Sequence, residues 1–444
     1  MSRWKRIRDA FWFIPALCCA VAVLLSEAMI SVDRAIDGAD LGPLAGLVNR
    51  VGEAGSRDLL GAIASSTLAV AATSFSITIA VLATASSTYG PRLVRNFMAD
   101  RGNQIVLGVF SATFLYSLLV LRSIRALGDT DAVFVPHLAV NLAVLLGVLS
   151  IGVLVYFINH IADSVQVWTL AGRVRSDLLD AVERLYPEGV GRDARELEDD
   201  AASAGIPGGL DADGASVASR EIGYVQQVSE DRLLAAAQRH DALVVLRVRP
   251  GGHVAEGTTL ATLWPPERVD DELADEVRAC VLTGSARTPE QDIAFSVQVL
   301  EEMAVRALSP GTNDPYTAIN ALDELSAGFA RLVGRSIPSR YRYDDRGRLR
   351  VIVERVEPAE LLELVFDAMR TYAKQHPTVL RRTLLLAEQV GRASRSPELR
   401  AHLRRQVRLL LEAYERSEPQ EHDLLRLRQR AAEVQESLAA PHSA

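Results

Sequence analysis

The densest set of side chains able to do chemistry is Ala307-Leu308-Ser309-Pro310-Gly311-Thr312-Asn313-Asp314-Pro315-Tyr316-Thr317-Ala318. Backbone N–H groups at the start of the helix that follows could hold an anion, with Ser309, Thr312 and Asn313 adding hydrogen bonds. Asp314 could instead attract a cation. The same residues also spell a structural corner. Pro310 and Gly311 stop one helix, and Asp314 before Pro315 is an N-cap with proline at the first helical position, opening a helix from Tyr316 to Val333. A ligand or regulatory corner and a tight helix–helix turn are both open on these residues.

A second set is spread along one apolar segment. Ser65, Ser66, Thr67, Thr73, Ser74, Ser76, Thr78, Thr84, Ser86, Ser87 and Thr88 make it hydroxyl-rich. At about 100° per residue, Ser66, Thr67, Thr73, Ser74, Thr78, Thr84 and Thr88 share one broad face. Small hydroxyl residues let membrane helices approach closely and bond their own carbonyls. The sharper reading makes Ser66, Thr73, Ser74, Thr78 and Thr84 the lining of a polar pore.

Other chemistry is hard to find. No nucleophile–base–orienter set, phosphate-binding loop, dinucleotide glycine pattern or zinc spacing is present. An enzyme is therefore not the expected reading; were it one, Asp314, Asn313 and Ser309 would be the first candidates. No cofactor or metal site is expected. Cys18, Cys19 and Cys280 suit neither a disulfide framework nor a zinc site, which fits a soluble part in a reducing compartment. The net charge of −8 and a pI near 5.6 argue against bulk binding of nucleic acid, which needs a basic surface.

These sets must be positioned by elements, and the 444 residues divide sharply. Four uncharged or nearly uncharged segments reach the roughly 20 residues that cross a bilayer. They run from about Phe11 to Ile30, Leu59 to Thr88, Gln104 to Leu121 and Val133 to Phe157. A signal peptide is the rival reading of the N-terminus, but its apolar stretch is long and lacks a clear cleavage site.

Basic residues set the orientation. Arg3, Lys5, Arg6 and Arg8 precede the first segment, and Arg92, Arg95 and Arg101 follow the second. The loop from Ser31 to Asp58 has five acidic residues against three arginines. Arg122 and Arg125 blur the pattern, with Asp129 and Asp131 to balance them. N- and C-termini are expected in the cytoplasm of a multi-pass plasma membrane protein. Trp4, Trp12, Tyr89 and Trp168 lie at expected interfaces. No charge sits mid-span, which argues against a proton-driven transporter. His137 and Asn141 near the outer end of the fourth helix, and Asn159 and His160 at its inner end, read as interfacial anchors.

The expected fold is an α-helical membrane protein with a soluble, mainly helical α+β cytoplasmic region. Residues 1–161 form the membrane domain and 162–220 a stalk helix, which continues the fourth helix or packs on the next domain, and a flexible linker. Residues 221–266 are a small α/β unit, with strands at Ile222 to Val228, Leu243 to Val248 and Thr258 to Trp264 and a helix capped by Ser229. Residues 267–356 hold helices Glu267 to Leu282 and Gln291 to Leu308, the corner, and a hairpin from Tyr341 to Arg355. Residues 357–444 are a helical tail broken at His376-Pro377, Ser394 to Pro397 and Ser417 to Pro419. Arg381, Arg382, Arg404, Arg405, Arg408 and Arg426 interleave with leucines there, as on a solvated amphipathic face or a membrane- or partner-binding one.

Val245 to Leu263 resembles a half-repeat of biotinyl- and lipoyl-type barrels, without the lysine that carries the prosthetic group; this implies geometry only. His253 in its turn reads as a solvated loop residue. Larger motifs carry a second resemblance: Phe75-Ser76-Ile77-Thr78, Ser86 to Phe97, Phe114 to Arg122, Phe157 to Ala162, Gly223-Tyr224-Val225-Gln226, Arg249-Pro250-Gly251 and Ala307 to Ala318. Together they resemble the bacterial predicted membrane proteins catalogued as domain of unknown function 2254. That resemblance implies four membrane helices and a soluble region, and it supplies no activity, ligand or catalytic residue. One departure is Ala294-Phe295-Ser296, where glycine is expected at the serine.

The function these residues favour is an oligomeric channel or permease for a small ion or solute, gated by its cytoplasmic region. The alternative is a membrane-anchored scaffold or sensor that docks a cytoplasmic partner. Expected partners are the lipid bilayer, further copies of the chain and a cytoplasmic protein, and no nucleic acid.

Overall fold

In the computed structural model each of the four long apolar runs is a single helix: α1 (Phe13–Ile36), α2 (Glu53–Tyr89), α3 (Arg101–Ser123) and α4 (His137–Ser164). All four are long and apolar enough to cross a membrane. The structure describes residues 11–36, 52–89, 100–124, 134–164, 166–186, 206–207, 210–335 and 337–440. The N-terminal basic cluster, Arg92, Arg95, Arg125, Asp129, Asp131 and most of the expected linker lie outside them, as do the side chains of Ser87, Thr88 and Tyr89. The chain forms two compact units, Met1–Thr169 and Leu170–Ala444.

In the first unit α3 is the central helix and packs on α1, α2 and α4. Small residues permit the close approaches. A Cβ on Gly108 would stand 2.9 Å from Sγ of Cys18 on α1, and one on Gly147 of α4 would meet Ile63 of α2 at 3.6 Å. Two apolar cores result. One joins Ala22, Leu60, Tyr116, Val120, Ala139 and Ala143; the other joins Ala71, Val106, Phe110, Phe157 and Ile161. The outward faces keep Leu24, Leu68, Phe75, Leu149, Ile151, Val155 and Ile158 exposed, a surface that hydrocarbon covers at no cost.

The second unit begins with α5 (Val167–Leu185), which lies mainly beyond residue 169. It packs within this unit, one of the two options its amphipathic pattern leaves open. Leu178 is buried and reaches the position a Cβ on Gly328 would occupy, Arg175 meets Glu324 at 2.7 Å, and Arg335 donates to the Tyr186 carbonyl at 2.8 Å. The described end of the expected linker also has structure: a short helix α6 (Leu210–Asp213) and strand β1 (Ala215–Ala218). Its small residues hide the strand from a hydrophobicity reading, and pairing with a buried neighbour forms it.

Strands β2 (Gly223–Val228), β3 (Leu243–Leu246), β4 (His253–Val254), β5 (Thr259–Trp264), β6 (Val281–Gly284), β7 (Tyr341–Tyr343) and β8 (Leu349–Ile352) complete two sheets. Their orders are β1-β5-β3-β8-β7 and β4-β2-β6. All pairs are antiparallel except β3 with β8, which run parallel with Val244 opposite Val351. Helices α7 (Glu230–Arg239) and α8 (Asp271–Cys280) share one core with both sheets, including Val225, Leu233, Val244, Leu263, Leu273, Val277 and Val351. The expected helix from Glu267 to Leu282 is therefore shorter: Asp270 caps α8 through the Leu273 N–H at 2.8 Å, and the β-branched Val281 starts a strand instead.

Six helices follow: α9 (Ile293–Ala307), α10 (Pro315–Val333), α11 (Pro358–Tyr372), α12 (Pro377–Ala393), α13 (Pro397–Glu415) and α14 (Glu421–Ala439). Proline opens four of them, where its missing N–H would have had no partner anyway. Leu300, Phe329, Leu362, Phe366, Leu384, Leu403 and Val434 form the buried apolar faces.

Candidate functional site

The corner builds itself from local hydrogen bonds. Asn313 takes a left-handed conformation (φ 47°), and Asp314 N–H returns to the Ala307 carbonyl at 2.8 Å. The Asp314 carboxylate accepts from Tyr316 N–H at 3.1 Å, Thr317 N–H at 3.2 Å and the Thr317 hydroxyl at 2.5 Å. Ser309 donates to the Arg306 carbonyl at 2.7 Å and meets the Thr312 hydroxyl at 3.3 Å. The helix N–H groups an outside anion would use are thus taken by Asp314. What the corner presents outward is Thr312, Asn313 and a Tyr316 ring that is 77% exposed.

The hydroxyl face of α2 divides. Thr67, Ser74 and Thr78 are buried inside the bundle, while Ser66, Thr73 and Thr84 are exposed on its outside. Thr67, Thr73, Thr78 and Thr84 each donate to the carbonyl four residues back, at 2.7, 2.9, 2.8 and 3.0 Å. A self-satisfied hydroxyl costs little in lipid, so these groups sit in apolar surroundings without demanding a water path.

Two carboxylates that the sequence reading left unassigned fix the ends of α4. Asp33, on the last turn of α1, accepts from Leu138 N–H at 3.0 Å and Ala139 N–H at 2.9 Å. At the far end, Asp100 caps α3 and lies 2.9 Å from Nε2 of His160. Tyr156 stacks on that imidazole at 5.4 Å. Gly102 makes the approach possible, since a Cβ there would fall 2.5 Å from His160 Nε2. Asp100 had a local signal, a carboxylate just before an apolar helix; Asp33 had none, because its partners lie over a hundred residues away. Asn159 bonds Asp163 at 3.2 Å and Asn141 donates to the His137 carbonyl at 2.8 Å, so both serve their own helix.

In the second unit, a charged cluster lies beside Tyr186 at the end of α5. Arg355 grips Glu230 with two hydrogen bonds of 2.7 Å, and Arg342 adds one of 3.0 Å. Burial pushes the Glu230 carboxyl up, but the two guanidiniums outweigh it and hold it below its ordinary value. Beside it the Tyr186 hydroxyl donates to the Val356 carbonyl at 2.8 Å, and burial pushes it up to about 12. Asp292 caps α9 while receiving Arg287 at 2.7 and 2.8 Å. The cavity lined by Tyr186, Glu230, Asp292 and Arg355, about 50 Å³, has room for little more than water. The arrangement is a brace between sheet and helices. The Cys280 thiol is buried and pushed up, unlike a nucleophile. His253 packs edge-on against Tyr224 at 5.1 Å. Among the described residues no group of three or more His, Cys, Asp or Glu side chains is placed to hold a metal ion.

Comparison with known proteins bears on the whole chain. The family of predicted membrane proteins defined by domain of unknown function 2254 (DUF2254) matches residues 8–389. The chain belongs to the DUF2254 family. Uncharacterized proteins of Mycobacterium bovis and Mycobacterium tuberculosis are each 32% identical to it over 459 aligned residues, covering 100% of this chain and 85% of theirs. No solved structure matches. This DUF2254 protein thus joins a membrane-type bundle of four apolar helices to a helical region with two small sheets. Ser296, where the family resemblance leads one to expect glycine, is buried on α9 with its hydroxyl unpartnered among the described residues.

Proposed function

We propose that this DUF2254 protein is a membrane-anchored sensor or scaffold whose second unit lies in the cytoplasm and docks a soluble partner there. The observation that carries the reading is the fate of the hydroxyl face. Ser74 and Thr78 are buried inside the bundle while Ser66, Thr73 and Thr84 are exposed, so within one copy these side chains do not share one surface. The larger unit, by contrast, has its own cores and an exposed corner at Thr312, Asn313 and Tyr316. The cytoplasmic placement rests on the basic residues before α1 and between α2 and α3.

Two measurements test it. A cysteine at Gln420 (Gln420→Cys) in intact cells is expected to resist a membrane-impermeant thiol reagent until permeabilisation; labelling of intact cells would place the second unit outside. Purified protein in liposomes is expected to pass ions and small solutes no faster than protein-free liposomes do.

A pore between copies is the second reading. It is favoured by Ser66, Thr73 and Thr84, which line up on the exposed side of α2. Flux that disappears in Thr73→Leu would overturn the sensor reading in favour of that pore.

A further inference from the structure

Helices α13 and α14 lie antiparallel, with Gln435 Nε2 donating to the Arg404 carbonyl at 2.7 Å near one end and Arg428 reaching Glu415 at 2.7 Å near the other. Between them runs an open groove of ≈ 480 Å³. Its lining on α13 follows helical spacing, Ala401, Arg404, Arg405, Arg408 and Leu411, and Arg428 stands on the α14 side. Val407 and Ala431, both buried, supply an apolar floor.

Several guanidiniums of α11, α12 and α14 are matched by carboxylates. Arg382 meets Asp323, Arg392 meets Glu388, Arg430 meets Glu388 and Glu433, and Arg370 meets Asp367. In the groove the matching is weaker. From Glu398 to Glu412 the sequence of α13 has no carboxylate. Arg405 has no ion pair among the described residues, and Arg404 bonds only an amide oxygen, Gln435 Oε1 at 3.3 Å. Arg408 is 3.9 Å from Glu412, at the limit of an ion pair. Arg404 and Arg408 are also one helical turn apart, a spacing at which like charges repel. The groove lining thus carries four guanidiniums and no carboxylate, on a chain whose net charge is −8.

From this we infer that the α13–α14 groove binds a phosphate-bearing small molecule with at least two negative charges and an apolar or planar part. Guanidinium forks match phosphate oxygens two at a time, and a groove of this size with a few convergent charges over apolar residues suits a ligand of that class. The phosphate can come from a soluble metabolite or from a lipid headgroup, and the chemistry of the groove is the same for both. The family match ends at residue 389, so family membership does not assign this site, and the inference does not rest on the proposed docking role.

Isothermal titration calorimetry of the full chain in neutral detergent tests it with three probes: ADP, inorganic pyrophosphate and short-chain dihexanoylphosphatidic acid. At least one is expected to bind with a Kd below roughly 100 µM. The affinity should weaken as salt is raised. The double variant Arg405→Gln/Arg408→Gln should lose it by about tenfold or more, since each charge-assisted bond is worth about that factor. Arg426→Gln, on an exposed arginine outside the groove lining, should change nothing; thermal unfolding checks that both proteins are folded. ADP stronger than pyrophosphate means that the floor engages the non-phosphate part, and binding of the phosphatidic acid alone assigns the phosphate to a lipid. Binding by none of the three, or undiminished binding in the double variant, overturns the inference.

Discussion

Asp33 and Ala139 are bonded across 106 residues: the carboxylate of one helix accepts the N–H of another at 2.9 Å and takes the neighbouring Leu138 N–H as well. The first N–H groups of any helix have no partner within it, and in an apolar setting water is scarce. Asp33→Ala is therefore expected to destabilise the protein by about 1–2 kcal/mol, with Asp33→Asn milder because one oxygen still accepts. Thermal unfolding in detergent reads this; equal midpoints for wild type and Asp33→Ala would show that the bonds contribute nothing.

Gly251 and Gly257 offer a controlled comparison. Both have positive φ, 88° and 85°, but a Cβ at Gly251 would lie 2.2 Å from Asp292 Oδ2, whereas nothing lies within 4 Å at Gly257. Gly257→Ala should cost about 1–2 kcal/mol from backbone strain alone. Gly251→Ala should cost more, because it also displaces the cap of α9 and its Arg287 partner. Urea unfolding of the two variants side by side measures the difference, and identical losses would mean that Asp292 moves freely.

Tyr186 makes stability depend on alkaline pH. Its hydroxyl ionises near 10 when exposed and near 12 in the fold, so folding favours the neutral form. That contribution is complete below pH 10 and is lost as pH rises from 10 towards 12. Wild type should lose stability over this window more steeply than Tyr186→Phe. Parallel curves across it would remove Tyr186 as the cause.

The two sides of α2 should respond differently to bulk. Thr78 is buried, so Thr78→Leu forces extra volume into a packed contact at a cost of about 1–3 kcal/mol. Thr73 faces outward, and Thr73→Leu should fall within about 0.5 kcal/mol of wild type. Melting temperatures in detergent decide; a penalty at Thr73 as large as at Thr78 would mean that its face is covered too.

Long periodic elements were legible in the residues. The four apolar helices follow from length and hydropathy, and α9, α10 and the tail helices from capping residues, N-terminal prolines and leucine spacing. Short strands made of small residues were not: β1 is Ala215-Ser216-Val217-Ala218, and only its pairing with β5 defines it. The expected helix takes in Val281 and Leu282, the start of β6, because Leu273, Val277 and Cys280 already give a helical stripe. Among the candidate site residues, the Asp314 cap could be read from Asp-Pro alone. The division of Ser74 and Thr78 from Ser66 and Thr73 could not, because it depends on which side of α2 meets its neighbours. The contacts made by Asp33 and Arg355 lie between distant segments, where local pattern carries no signal.

The parallel pairing of Val244 with Val351 imposes an order on biosynthesis. As the chain leaves the ribosome, β3 emerges with the small sheets but cannot gain its second neighbour until residue 352 is out. Through the whole synthesis of α8, α9 and α10, Leu243 to Leu246 present an unpaired apolar edge, the kind of surface on which chains aggregate. At about 5–20 residues per second this vulnerable interval lasts roughly 5–20 s. By then the four apolar helices have already been translated, so the nascent chain waits as a tethered intermediate rather than a free one, and tethering keeps such edges from meeting as often as they would in solution.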